Sequence, residues 1–304
     1  LGIDKNHLVI GNGVAEFIKA LPRVFKGRVV NVEPSFNEYA ACFGERTIPF
    51  SVDESNNYDL DMDALIDVVH SEQPEAVVII TPNNPTGRLV SKEDLIKLYE
   101  ETEALGTILI VDESFLDFSS QREEATFLGS LEEYPRILIF RSMSKTFGIG
   151  GLRLGYGATA NLEVLGALRS EMPIWNINGF AEEFLLNLPQ YNDEYLQSCD
   201  NVRRDTDELV EGLRTLGDLT VYDTESNFIM CKVHEKRFTA NQIARRLLEK
   251  HAIYVKECSG KDMQDAAYFF RLSARTSAEN KRLIEAMQDV FAELKSANGI
   301  PVLV

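Results

Sequence analysis

The chain has 304 residues, 44% hydrophobic and 26% charged, enough for one large or two moderate globular domains with substantial cores. Its formal net charge of −17 argues against broad affinity for nucleic acid or an anionic membrane, yet leaves room for a local basic pocket that takes a small anion. Cys42, Cys199, Cys231 and Cys258 are scattered without a CxxC pair, as expected of reduced thiols in a cytoplasmic protein. His7, His70, His234 and His251 lack metal-ligand spacing, so no metal site is expected. No apolar run approaches the roughly 20 residues that span a bilayer, and there is no signal peptide. The first residue is Leu1, which points to a cropped or processed amino terminus.

In chain order, "HLVIGNG" reads as a short strand ending in a glycine turn, followed by a helix over "VAEFIKALPRVF". "GRVVNVEP" is a strand closed by Pro34, and "EAVVIITPNNPTG" a β-branched strand that breaks at two prolines and a glycine. "SKEDLIKLYEETEALG" has Ser91 as N-cap, acids in its first turn and a glycine stop, which predicts a helix. "TILIVDESFLDF" and "RILIFRSMSK" are further strands, apolar on both faces as in a sheet covered by helices on both sides. This alternation predicts an α/β fold: a three-layer large domain with a mainly parallel sheet over residues 1–186. From residue 187 the helices become longer and more charged and frame the strands "SNFIMCKV" and "YFFRLSA". That change predicts a smaller C-terminal α+β domain over residues 187–304.

Ligands of open parallel sheets bind beyond the carboxyl ends of the strands. Four segments fall there: "GNG", "NNPTG", "DES" and "RSMSKTFGIGGLRLGYG". In the last, Lys145 stands at the end of a buried strand, followed by five glycines. The pattern suits either a mobile loop that contains a lysine or a lysine held ready to form a covalent imine. Each segment alone has a plain reading: a strand–turn–helix junction, a turn, or Asp112 as a helix cap. Their order and spacing together favour a common site.

With "TPNNPTG", "VDES" and "SMSKTFGIGGLRLGYG" in this order, the chain resembles the pyridoxal-phosphate enzymes of fold type I, class I and II. The branch it looks most like contains the histidinol-phosphate aminotransferases and threonine-phosphate decarboxylase. The resemblance runs from "GNG" to "FFRLSARTSAENKRLIEAM" and implies the aspartate aminotransferase fold, pyridoxal 5'-phosphate as cofactor and a homodimer. Members carry an N-terminal arm before the first motif; its absence here suggests a chain whose first part is not shown.

By this resemblance Lys145 binds the cofactor as a Schiff base and shuttles protons, and Asp112 keeps the pyridine nitrogen protonated. Asn84 bonds the ring oxygen, and Phe36 stacks on the ring or else simply packs in the core. Backbone N–H groups of Val14 and Ala15 meet the phosphate, with Ser142, Ser144 and Arg153 completing its cup. Arg271 binds the substrate's anionic group, and Asn227 lies near the substrate. Arg282 either binds an anion or is a solvated helix charge. Phe115 departs from the tyrosine usual in the aminotransferases and, with Arg275, resembles the decarboxylase branch. The expected activity is transamination between an amino donor, an amino acid or phosphorylated amine, and a keto-acid acceptor; decarboxylation is the alternative. A dinucleotide-binding turn at "GNGVAE" conflicts with Glu16 at the third glycine position, and a non-catalytic sensor would need an appended DNA-binding segment, none of which is visible.

Overall fold

The computed structural model describes residues 2–297 except 235 and 237. Seven strands form the larger sheet: β1 Leu8–Gly11, β2 Val29–Glu33, β3 Thr47–Ser51, β4 Ala76–Ile80, β5 Ile108–Asp112, β6 Ile137–Ser142 and β7 Gly155–Ala158. Their spatial order is β1-β7-β6-β5-β4-β2-β3, parallel throughout except for β7, which runs against both neighbours. Because β7 opposes both β1 and β6, those two point the same way as β5 and β4. All four carboxyl ends therefore reach one rim.

The helices of this part are α1 Val14–Val24, α2 Glu38–Phe43, α3 Met62–Glu72, α4 Lys92–Glu101, α5 Arg122–Ala125, α6 Met143–Thr146, α7 Leu162–Glu171 and α8 Gly179–Asn187. The apolar strand runs bury alternate residues on opposite faces. Val78, Ile80, Ile110, Leu138 and Phe140 pack with Phe17 and Leu21 of α1 and Leu165 of α7. Val77, Ile79, Leu109, Val111 and Ile139 pack with Leu65 of α3 and Leu95 and Leu98 of α4. This gives the three-layer architecture read from the sequence. Ser91 caps α4 as expected, its Oγ accepting from Asp94 N–H at 3.0 Å.

Beyond residue 191 lie α9 Asn192–Arg214, β8 Leu219–Val221, β9 Phe228–Val233, α10 Ala240–His251, β10 Lys256–Glu257, β11 Phe269–Ser273 and α11 Ser277–Ala297. Their strands form an antiparallel sheet in the order β10-β11-β9-β8. One face packs on α9, α10 and α11 around Leu213, Ile229, Ile243, Phe270 and Met287. The strands expected at "SNFIMCKV" and "YFFRLSA" correspond to β9 and β11.

The sequence reading missed β3, β7, β8 and β10. The segment "GYGA" of β7 was read as loop glycines, whereas Gly155 and Gly157 lie in a strand buried on both sides. Gly155 pairs with Gly11 on one side and Ser142 on the other, and a Cβ there would lie 2.7 Å from Val14 N. Only a hydrogen at this position lets the amino end of α1 approach the rim. Gly155→Ala is expected to cost about 1–3 kcal/mol of stability through overpacking against α1. Chemical denaturation tests this, and an unchanged midpoint would show that the junction relaxes freely.

Candidate active site

A cavity of about 440 Å³ opens at the rim between the two sheets. Val14, Ala15, Phe36, Asn84, Asp112, Ser142, Ser144, Lys145, Arg153, Asn227 and Arg271 all line it. Of the residues singled out from the sequence, Arg275 and Arg282 lie outside this lining. The Arg282 side chain is exposed on α11, where its Nη2 donates to the His251 carbonyl at 2.5 Å, at the carboxyl end of α10. Of the two readings of Arg282, this placement favours a solvated helix charge, here a partner of a helix end. Arg275 is paired with Glu279 at 3.1 Å.

Sheet register explains the convergence. Asp112, the last residue of β5, stands opposite Ile80 of β4 and Phe140 of β6. Two residues past Phe140, the chain leaves β6 at Ser142 and turns into the single helical turn α6, which carries Lys145. Ser142 N–H donates to Ser114 Oγ at 3.1 Å, which fastens the end of β6 to the end of β5. Beneath, Arg141 pairs with buried Glu113 at 2.7 Å and with Asp117 at 2.6 Å. Lys145 is thereby mounted on a fixed base.

Asp112 is almost fully buried, at 5% exposure. Its Oδ2 accepts from Tyr39 Oη at 2.8 Å and its Oδ1 from Ser114 N–H at 3.0 Å, and among the described residues no cation lies within ion-pair distance. Burial pushes its carboxyl above the usual range; the bonds from Ser114 and Tyr39 and the charge of Lys145 oppose that shift. Burial, then Arg271 and Arg153, hold the Lys145 ammonium below its ordinary range, against the pull of Asp112. The lysine Nζ lies 6.0 Å from the Phe115 ring centroid.

A second group of contacts surrounds the start of α1. Gly13 is its N-cap with φ +82°, so Val14 and Ala15 supply the first helical N–H groups, which have no acceptor within the helix. A Cβ on Gly13 would lie 2.6 Å from Arg153 Nη2. Arg153, at φ +60°, donates from Nη1 to Ser144 Oγ at 3.3 Å and to the Gly150 carbonyl at 3.1 Å. Helix amides, two serines and a guanidinium form a cradle suited to a tetrahedral dianion.

Arg271 extends from β11 across the cavity, its Nη1 donating to Asn84 Oδ1 at 2.6 Å and its Cζ 4.8 Å from the Phe228 ring centroid. Among the described residues, the buried Arg271 Nε and Asn227 Oδ1 have no hydrogen-bond partner. Buried polar atoms of this kind ordinarily meet a ligand or water. Sequence reasoning missed Tyr39, the Arg271–Asn84 bond and Lys261, which also lines the cavity. Nothing in the spacing of "NEYAAC" or "SGKDM" marks them, since the chain returns to the site from remote loops.

The three-layer fold, the lysine beyond β6 and the buried aspartate beyond β5 define a fold type I pyridoxal-phosphate enzyme. The chain belongs to the aminotransferase class I and II family, which it matches over residues 1–287. Pyridoxal 5'-phosphate is its cofactor. It is 36% identical over 291 residues to the CMP-5'-(3-aminopropyl)phosphonate synthase of Streptomyces rubellomurinus, covering 95% of this chain and 46% of that protein. The chain thus spans about half the length of that relative. With the L-serine phosphate decarboxylase of Campylobacter jejuni it shares 30% identity over 306 residues, 96% of this chain and 76% of the other. The structure of the histidinol-phosphate aminotransferase from Clostridium acetobutylicum superposes with a TM-score of 0.87 at 26% identity, covering 94% and 84% of the two chains.

Gly13→Ala is expected to weaken pyridoxal-phosphate binding about ten- to a hundredfold, because the added methyl displaces Arg153 and strains the left-handed turn. Titration of the apoprotein followed by absorbance measures this. Unchanged affinity would show that the gap between Gly13 and Arg153 is not the phosphate cradle.

Proposed function

We propose that this chain is a pyridoxal-phosphate-dependent aminotransferase acting on an amino acid or phosphorylated amine, with Lys145 as the residue that binds the cofactor. The observation that carries the reading is the placement of Lys145, an amine just past the end of a strand that opens onto the cavity and shares it with the guanidiniums of Arg153 and Arg271. Those surroundings raise the fraction of free amine, the form that attacks a carbonyl carbon. Asp112 supplies the complementary need, since its buried carboxylate lacks a cation that a protonated ring nitrogen would provide.

When bound, the cofactor supplies an aldehyde that captures amines and a ring that accepts the electron pair released at Cα. The protein's own residues position and protonate. Val14, Ala15, Ser142, Ser144 and Arg153 would hold the phosphate, and Phe36 would lie against the ring. Asp112 holds the proton on the ring nitrogen, with Tyr39 and Ser114 fixing the carboxylate's orientation. Asn84 Oδ1 accepts from Arg271, which leaves its amide N–H groups to donate to the ring oxygen when the cofactor is bound. Arg271 and Asn227 orient the substrate through its anionic group. Lys145 would then carry the proton removed from the substrate's Cα.

A second reading, decarboxylation, is supported by Phe115. Its ring packs edge-on against Phe228 at 5.0 Å and offers no hydroxyl to the ring oxygen. The serine-phosphate decarboxylase named above points the same way. On this reading Arg271 holds the substrate so that the bond to the carboxylate, rather than Cα–H, is the one broken.

The two sheets also support a division into two domains near residue 187. Ile174, Trp175, Phe180 and Leu186 stand 69–93% exposed, a surface suited to burial in a homodimer. No helix among the described residues is long and apolar enough to cross a membrane, and the four cysteines are free, which supports a cytoplasmic setting.

A panel of amino acids and phosphorylated amines, with keto acid and carbon dioxide detected separately, tests the activity. Keto acid formed in the presence of an acceptor is the expected result. Carbon dioxide without keto acid would replace transamination by decarboxylation, and neither product from any member would contradict both readings.

A further inference from the structure

Lys145 is carried by a single helical turn, α6, and a helix that short does not hold its own shape. Upstream, the turn is fixed by β6 through sheet pairing and by the bond from Ser142 to Ser114. Downstream, the chain soon passes through Gly148, Gly150 and Gly151, which offer no side chain to pack. The direction in which the amine points therefore depends on a support from elsewhere.

That support comes from far along the chain. Tyr195, in the first turn of α9, stacks flat on Phe147, with ring centroids 3.9 Å apart and planes 10° from parallel. Phe184 of α8 meets the same phenylalanine edge-on at 5.9 Å. The Tyr195 hydroxyl donates to Asp117 Oδ2, and Thr146 is a second hydrogen-bonding neighbour of that hydroxyl. Tyr195 thus grips both residues that follow Lys145.

Asp117 is itself anchored. Its Oδ1 accepts from Arg141 Nη1 at 2.6 Å, and Arg141 Nε donates to the buried Glu113 at 2.9 Å. One guanidinium faces two carboxylates here, and the phenol supplies a further donor to the pair. Burial, then Asp117, push that phenol well above its ordinary range, so it stays protonated and donating. Tyr195 is fixed in turn, because later turns of α9 pack on the second sheet through Leu209 and Leu213, and Asp200 pairs with Arg122 of α5 at 2.8 Å. Thr146, Phe147 and Tyr195 border cavities of about 470 and 510 Å³, so the turn is supported at few other points on this side.

We propose that Tyr195 is a positioning residue for Lys145: its stack on Phe147 and its bond to Asp117 together hold the lysine's helical turn so that the amine faces the cofactor. Tyr195 is not part of the lining of the active-site cavity, and it acts through Thr146 and Phe147. This inference rests on the proposed function for the role of Lys145. Capture of the cofactor joins the lysine nitrogen to the aldehyde carbon with loss of one water. The rate of that step depends on how the amine meets the aldehyde, whereas the hold on the phosphate does not.

The test uses the full chain stripped of cofactor, and two ligands. Covalent capture of pyridoxal 5'-phosphate at saturating concentration is timed by absorbance; pyridoxamine 5'-phosphate, which lacks the aldehyde, reports noncovalent binding by calorimetry. In Tyr195→Ala capture is expected to be about ten- to a hundredfold slower than in the wild type, with pyridoxamine phosphate bound within about twofold of it. Tyr195→Phe keeps the stack and loses the bond, so capture about two- to tenfold slower is expected, and this milder variant carries the test if Tyr195→Ala does not fold. A wild-type capture rate in either variant would overturn the proposal. So would equal loss of capture rate and of pyridoxamine phosphate affinity, which marks a cavity that has shifted as a whole. Failure of the proposed function reads differently: in the wild type itself, borohydride would fix no cofactor on Lys145.

Discussion

The costliest feature of this structure is the carboxylate of Asp112, buried at the end of β5 without a cation beside it. A buried ionised carboxylate costs several kcal/mol unless it is paired or well hydrogen-bonded. Tyr39 and Ser114 supply the hydrogen bonds but no charge. The arrangement is sensible only if a cation arrives from the cavity side, and a protonated pyridine nitrogen is such a group. Lys145 shows the converse imbalance, an amine pushed toward its neutral form by burial and by two neighbouring guanidiniums. Acid and amine are each poised for one partner that satisfies both.

The sheet makes this possible through chain direction. The single antiparallel strand β7 turns the glycine corner of β1 to the same rim as β4, β5 and β6. The glycine corner before α1, the buried acid and the strand end that leads to Lys145 are therefore set by backbone pairing, which suits chemistry that depends on orientation. The second sheet closes the cavity from the other side. Arg271 bonds to Asn84, and Lys261 to the loop carrying Phe36, so cations on the side of the second sheet are tied to residues on the side of the first.

Much of this was legible in the sequence, for a definite reason. The strand ends are marked by apolar runs that stop abruptly at polar residues, as in "VVIITPNN", "ILIVDES" and "ILIFRSMSK", so the site residues next to them could be named. The strand β7 escaped because "GYGA" shows no apolar alternation; its burial comes from neighbours packed against its glycines. Arg282 stayed open between anion binding and a solvated helix charge because sequence spacing does not tell which face of α11 a side chain occupies. Tyr39 and Lys261 reach the site through tertiary contacts with partners 73 and about 225 residues away, a pairing no local pattern encodes.

The central claim is that Lys145 is the residue that joins covalently to pyridoxal phosphate. Borohydride reduction of the protein with its cofactor, followed by proteolysis and mass mapping, tests it most directly. The account predicts that the reduced cofactor mass falls on Lys145, in the peptide containing "SMSKTFG", and that Lys145→Ala abolishes it while the fold is retained. A label on another lysine, or none with cofactor supplied, would contradict the account.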